Sequence, residues 1–401
     1  MKVLFMSLGT LYNLNESSVH LDILKRIAEE HEVWLVCKNE GRPTEFTEEN
    51  GIHVLRVHTG ELKKVGLMQK GINTIRVESQ FKNAIRKKLY DVKFDLILYS
   101  TPPITFASAV KYVKKKDGAV SYLMLKDIFP QNALDIELMS KTGLKGLLYK
   151  YFRKKEKELY KWSDYIGCMS PANCEYILRN NPFIKRENVE ICPNATVVRD
   201  MSCSETDAIK IRTKYDIPLD KKVFVYGGNL GKPQDIPFVI KCLQSCSDIE
   251  DAFFLIIGSG TEYHLLEEYA EKSVQENFKL MKHLPKEDYD KLLGACDVGL
   301  IFLDHRFTIP NFPSRLLSYM AAKLPVLACT DPNTDIGKVI VDGGFGWWCE
   351  SDDTESFSNT VRCIVAGEKN IDSDKEYRYL EEHYSVEKAY EIIMKQLEDS
   401  K

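Results

Sequence analysis

No stretch of the 401 residues approaches the roughly 20 consecutive apolar positions that a membrane-spanning helix needs. The opening MKVLFMSLGTLY has a single lysine, a strand-like run ending at Gly9 and no small-residue cleavage site, so it reads as a first core strand and not as an export signal. Cysteine pairing is also missing. The 11 cysteines show no C-x-x-C spacing, and the nearest pair, Cys242 and Cys246, lies one helical turn apart. An odd count without a framework indicates reduced thiols and a cytosolic chain, and argues against structural zinc. Neither the G-x-G-x-x-G dinucleotide fingerprint nor the G-x-x-x-x-G-K-[ST] phosphate loop occurs. Basic residues are plentiful, but no aromatic-interleaved basic sheet or recognition motif accompanies them, which argues against nucleic acid as a partner.

What is present is a globular composition, 44% apolar and 28% charged, on a chain longer than one core usually organises, so two domains are expected. The net charge of −4 conceals a net basic first half and a net acidic second half. Leu62 to Tyr90 carries eight basic residues against Glu78 alone, and Lys141 to Trp162 carries eight against Glu156 and Glu158. In the latter, Leu144, Leu147, Leu148, Tyr151, Phe152, Leu159 and Trp162 recur at helical spacing. Such a helix either lies on an anionic membrane surface or packs on its domain with a solvated basic face.

Apolar runs of strand type alternate with helical patterns throughout. In the first half the strands are Val3 to Ser7, Glu32 to Cys37, Ile52 to Val57, Leu96 to Ser100, Val120 to Leu125, Tyr165 to Met169 and Val189 to Cys192. Strands separated by helices build a parallel, doubly wound α/β sheet, whose ligands sit at the carboxyl ends of strands. Gly9 to Ser18, Ser100 to Pro103 and Lys126 to Gln131 are loops at such ends. The second half repeats the plan. Lys222 to Tyr226 leads into Gly227-Gly228-Asn229-Leu230-Gly231-Lys232, and Phe253 to Ile257 into Gly258-Ser259-Gly260. Backbone free of Cβ can approach an anion there, although a glycine turn after a strand is more often only a turn.

The stretch Phe302 to Ala328 is the most informative. Two short strands, Val298 to Leu303 and Leu324 to Ala328, flank a helix marked by Leu316, Leu317, Met320 and Ala321, headed by Pro-Asn-Phe-Pro-Ser-Arg. A helix start of that kind offers unpaired N–H groups to a phosphate; Ser314 is an N-cap candidate and Arg315 a forked cationic donor. An ordinary crossover with a capped helix gives the same pattern.

The ordered motifs Y-G-G-N-L-G-K, I-I-G-S-G, L-P-K-E-D-Y-D-K-L-L-G-A-C-D-V-G-L-I and F-P-S-R-L-L-S-Y-M-A-A-K-L-P-V-L-A resemble the retaining glycosyltransferases of family 4, of GT-B fold. Lys126-Asp127-Ile128-Phe129-Pro130 and Cys192-Pro193-Asn194 are similar to motifs of the branch that makes bacterial surface polysaccharides. The resemblance implies two Rossmann-like doubly wound domains facing a cleft. Residues 1–195 would bind the acceptor and 196–382 the nucleotide-sugar, with a C-terminal helix, 383–401, packing back on the first domain. It implies Asp127, Lys232 and Arg315 in catalysis. Gly228, Asn229, Gly258, Gly260, His283, Leu284, Ser314 and Ser318 would hold the donor, a UDP-sugar being favoured. No metal and no cofactor are implied. The acceptor is a saccharide or a polyprenyl-linked one, met by a cytoplasmic protein peripheral at the inner face of the membrane.

Departures are visible too. The family's two glutamates, eight positions apart, correspond to Pro310 and Ser318; Lys323 stands where glycine is usual, and Ser17-Ser18 replace a glycine pair. The late Asp372-Ser373-Asp374 reads as a loop. A nucleotide-sugar epimerase of the same fold is the alternative; it needs acid–base groups, for which His20, His283 and His305 are the candidates near strand ends.

Overall fold

The computed structural model describes residues 1–60, 67–273, 277–368 and 371–398; the start of the basic stretch after Leu62 and the last three residues lie outside these. The chain forms two units, Met1–Val197 with Ser385–Lys401, and Val198–Tyr384.

In the first unit the strands are β1 (Lys2–Met6), β2 (Glu32–Glu40), β3 (Glu45–Glu49), β4 (Ile52–Thr59), β5 (Leu96–Ser100), β6 (Val120–Leu125), β7 (Tyr165–Cys168) and β8 (Val189–Ile191). They form one sheet in the order β3-β4-β2-β1-β5-β6-β7-β8, parallel except for β3, which pairs antiparallel with β4. The continuously buried runs Val3–Met6 and Leu96–Tyr99 are what strands covered on both faces require. The edge strand β3, EFTEE, carries charges where a free edge would otherwise invite pairing, and Arg56 on β4 bonds Glu49 through both terminal nitrogens. Chain order reverses between β1 and β5.

The helix Val386–Glu398 belongs to this unit. Val386, Ala389, Tyr390, Ile393, Met394 and Leu397 join the cluster that contains Val3, Phe5, Leu24 and Leu35, and Arg26 holds Glu387 through Nε (2.5 Å) and Nη2 (2.9 Å). Ser385 bridges to Thr196, so both chain crossings lie side by side at one edge of this unit.

In the second unit β9 (Lys222–Asn229), β10 (Ala252–Ser259), β11 (Phe278–Lys282), β12 (Val298–Phe302), β13 (Val326–Thr330) and β14 (Gly346–Glu350) form an all-parallel sheet, order β11-β10-β9-β12-β13-β14. Here the reversal falls between β9 and β12. Strand β9 runs three residues beyond the sequence expectation, because Gly228 and Asn229 pair with Gly258 and Ser259 of β10. Asp372-Ser373-Asp374 is not a loop but the head of the helix Ser373–Tyr384, with Asp372 Oδ1 accepting from the N–H groups of Asp374 and Lys375. Lys323 adopts the left-handed φ of 55° that glycine would have supplied, and its Nζ bridges Asp200 and Asp374, each at 3.0 Å.

Glu376 on that last helix is fully buried with both carboxyl oxygens unpaired among the described residues, and burial pushes its pKa well above the ordinary value. A raised carboxyl in the folded state destabilises as pH rises above the unfolded value, because the unfolded chain loses the proton and the folded chain keeps it. Glu376→Met is therefore expected to raise the unfolding midpoint, by more at pH 8 than at pH 5, in thermal melts at both values. An unchanged midpoint at both would mean that the carboxyl costs the fold nothing.

Candidate functional site

In the second unit the loops after β9 and β12 flank the point where strand order reverses, the place where open α/β sheets bind ligands. They are tied together by the Asp304 N–H, which donates to Pro233 O at 3.0 Å. Arg315 starts the helix Arg315–Ala321 that follows. Its guanidinium carbon lies 4.0 Å from the ring centroid of Tyr226, a contact worth about 1 kcal/mol. Tyr226 is itself fixed by donating its hydroxyl to Asn229 O at 2.7 Å. Arg315 Nη1 is buried without a hydrogen-bond partner among the described residues, and Nη2 lies 3.5 Å from where a Cβ on Gly228 would stand. Gly228 is exposed, with φ of +130°. A held cation with an orphaned N–H, beside bare backbone, is a receptor for an anion.

Ser314 precedes that helix, exposed, and its hydroxyl makes no capping bond; Ser318 lies one turn on, half-buried. Lys232 is exposed at the head of the 3-10 turn Lys232–Gln234. The helix Arg315–Ala321 has only seven residues, and the helix Ile236–Ser245 is capped by Asp235, whose Oδ1 accepts from Phe238 N at 3.4 Å.

Asn229 turns its amide inward, donating to Gln234 Oε1 at 2.8 Å. Gly258 and Gly260 have a packing reason to be glycine: a Cβ at either would stand 2.0 Å from the carbonyl oxygen of Gly228 or Leu230. His283 is exposed and Leu284 half-buried in the loop after β11, two strands from β9 and so about 10 Å along the same sheet edge. One trio, Asp235, Asp304 and His305, brings potential ligand atoms within 4.8 Å of one another. Arg306 already neutralises Asp304 there, through Nε (2.9 Å) and Nη2 (2.6 Å). Burial alone would raise the Asp304 pKa, but those bonds hold it below the usual value.

In the first unit a second cluster gathers where β1, β5 and β6 end. Thr101, buried after β5, accepts with Oγ1 from the N–H groups of Lys126 (3.1 Å) and Asp127 (3.2 Å) and donates to Asp127 O at 3.0 Å, which clamps the loop after β6. Asp127 does not cap the following helix, Gln131–Asp135, since Pro130 holds that position; its Oδ1 accepts from Asn132 Nδ2 at 2.6 Å. Burial raises the Asp127 carboxyl to about 6, against the opposing bonds from Asn132 and Ile128 N–H. His20 Nε2 meets Ser100 Oγ at 3.0 Å, and burial together with the Lys126 charge pushes His20 down to about 4. Ser17 and Ser18 are occupied locally: Ser17 Oγ donates to Asp22 Oδ2 at 2.9 Å, and Ser18 Oγ caps Leu21 N at 3.2 Å.

Sequence reasoning missed Tyr226, which read as one more core position of an apolar strand, and missed Lys126 as an individual. The aromatic immediately before a double glycine was the available signal for the first.

Residues 207–391 match the family described as glycosyl transferases group 1. This part of the chain is similar to the group 1 glycosyl transferases. Across a longer stretch the chain is 23% identical over 274 residues to a protein of Pseudomonas aeruginosa named as a probable glycosyltransferase, WbjE, covering 67% of this chain and 65% of that one. It is 24% identical over 251 residues to the Escherichia coli K12 protein WcaI, named as a colanic acid biosynthesis glycosyl transferase, covering 62% and 60%. The matches thus span less than two thirds of either relative's length. Among solved structures, Anabaena HepE in complex with UDP-glucose superposes with a TM-score of 0.71 at 14% identity, all of each chain being covered. At that identity the likeness carries the fold, which is GT-B.

Proposed function

We propose that the protein is a retaining glycosyltransferase that needs no metal. It moves a sugar from a nucleotide-sugar, UDP-linked by preference, to a saccharide on a polyprenyl carrier during assembly of a bacterial surface polysaccharide. The match to the group 1 glycosyl transferases and the two relatives, one of them named for colanic acid biosynthesis, support the class. The observation that carries it is Arg315, stacked on Tyr226 with Nη1 unpaired beside the exposed backbone of Gly228.

Breaking the anomeric C–O bond leaves a diphosphate of rising negative charge and a sugar resembling an oxocarbenium ion. Arg315, Lys232 and the Ser314 hydroxyl stabilise that leaving group, and one aimed donor of this kind is typically worth about 3 kcal/mol. The nucleoside extends along the sheet edge toward Gly258, Gly260, His283 and Leu284, with Ser318 available to a ribose hydroxyl. In the first unit Asp127 orients the acceptor hydroxyl, whose oxygen bonds to the anomeric carbon on the face the diphosphate leaves and whose proton passes to that departing phosphate, so that configuration is retained. Incubation with UDP-sugars and a polyprenyl diphosphate-linked sugar tests this. Release of UDP with an unchanged anomeric configuration in the product is expected, whereas epimerised donor in the absence of acceptor would support the epimerase instead.

Membrane docking by the first unit, at the cytoplasmic face, belongs to the same reading. On the helix Gly143–Trp162, Leu144 and Leu147 are 86% and 65% exposed, next to exposed Lys141, Lys145 and Lys150. Not all of the basic residues are free, contrary to the sequence pattern: Arg153 bonds Glu156 and Asn181, and Lys155 bonds Glu78 and Glu158. The amino-terminal half of the helix is therefore the docking element, each basic residue near an anionic bilayer adding about 1 kcal/mol. No helix among the described residues is long and apolar enough to cross a membrane. Flotation with phosphatidylglycerol vesicles is expected, and its loss in a Lys145→Glu, Lys150→Glu, Leu144→Ser variant. Binding indifferent to lipid charge and to these changes would leave the helix a solvated surface.

A further inference from the structure

We propose that Lys126 receives an anionic group of the acceptor, either a phosphate of its carrier or a carboxylate of an acidic sugar, and so selects charged acceptors over neutral ones. The proposal rests on the glycosyltransferase reading above and specifies its acceptor.

Lys126 stands just past the end of β6, at the carboxyl edge of the first sheet and next in sequence to Asp127. Its Nζ donates to Asn194 Oδ1 at 2.5 Å and has no carboxylate partner among the described residues. The groups facing it, from the helix Val19–Ala28 and the segment after β8, are uncharged. His20, from the helix Val19–Ala28, is lowered to about 4 and is neutral at working pH. Cys192, just after β8, is pushed up to about 11 by burial and remains a thiol. Asn194 is an amide. Burial with no compensating carboxylate lowers Lys126 itself to about 8. Holding an ammonium in such a place is unfavourable unless an anion completes it, and a purely structural contact to Asn194 would be made as well by a neutral amide. The residue as a whole is half-buried. Its backbone is fixed by Thr101, which also fixes Asp127, so an anion on Lys126 would set the acceptor in a defined register against that carboxylate.

The test reads Lys126 directly. An amine lowered to about 8 is partly unprotonated at pH 8 and acylates readily, so the full chain is trace-labelled with acetic anhydride and the extent at Lys126 is read by peptide mass spectrometry, with exposed Lys87 as the reference. Labelling is repeated with geranyl diphosphate, octyl glucuronide and neutral octyl glucoside. Several-fold protection by either anion and none by the glucoside is expected; protection by the diphosphate alone identifies the carrier phosphate, and by the glucuronide alone the acidic sugar. Equal protection by the glucoside, no protection by either anion, or no labelling of Lys126 in the free protein overturns the proposal. Labelling needs no turnover, so its failure leaves sugar transfer through Arg315 standing, and an absence of transfer leaves the labelling readable.

Discussion

Arg315→Ala is expected to lower sugar transfer by roughly a hundredfold to a thousandfold while the protein stays folded. The guanidinium lies against Tyr226 and has an unpaired Nη1, so what the substitution removes is chiefly an anion receptor and one cation–π contact. The hydrocarbon stem adds some packing, and a loss of about 1 kcal/mol of stability is the most the ring contact predicts. Arg315→Lys should restore only part of the rate, since a point charge cannot reproduce a forked donor held flat on a ring. Lys232→Ala should also reduce transfer, but by less, because Lys232 is exposed and water shares its charge. Single-turnover rates with saturating donor, alongside circular dichroism, separate lost chemistry from lost folding. A normal rate in Arg315→Ala would remove the residue from the diphosphate site.

The second large effect concerns Asp127. Burial raises its carboxyl to about 6, and Asn132 holds one oxygen at 2.6 Å. If Asp127 orients the acceptor as proposed, it is the ionised form that accepts from the acceptor hydroxyl, and the ionised fraction grows as pH rises through about 6; transfer should therefore climb across that range and level off above it. Asp127→Asn is expected to lose about a hundredfold or more and to lose this ascending limb, because an amide does not titrate there. The same shift also destabilises the fold as pH rises from the unfolded value toward about 6, since the folded state favours the neutral acid. A variant that keeps the limb would mean that another group sets it.

Much of the fold was legible because its strands are buried on both faces and read as unbroken apolar runs such as Val223–Tyr226 or Val298–Phe302. What escaped lacked that signature. The edge strand Glu45–Glu49 is mostly acid and makes sense only beside Arg56. The last residues of β9 are glycine and asparagine, poor strand formers that pair because β10 brings glycine and serine opposite them. The helix Ser373–Tyr384 is polar overall, and its few anchors, Leu380 and Tyr384, form too thin a stripe to read. The candidate site divides in the same way. Arg315, Gly228 and Asp127 sit in recognisable motifs, but the use of Tyr226 as a platform and the lack, among the described residues, of a carboxylate partner for Lys126 depend on residues brought together from distant parts of the chain.

The most direct test of the central claim is calorimetric titration of the full chain with UDP and with uridine, for the wild type and Arg315→Ala. If Arg315 receives the diphosphate, the wild type binds UDP far more tightly than uridine, and the variant loses most of that difference while its uridine affinity is unchanged. An undiminished difference in the variant, or equal affinities for the two ligands in the wild type, would contradict the account.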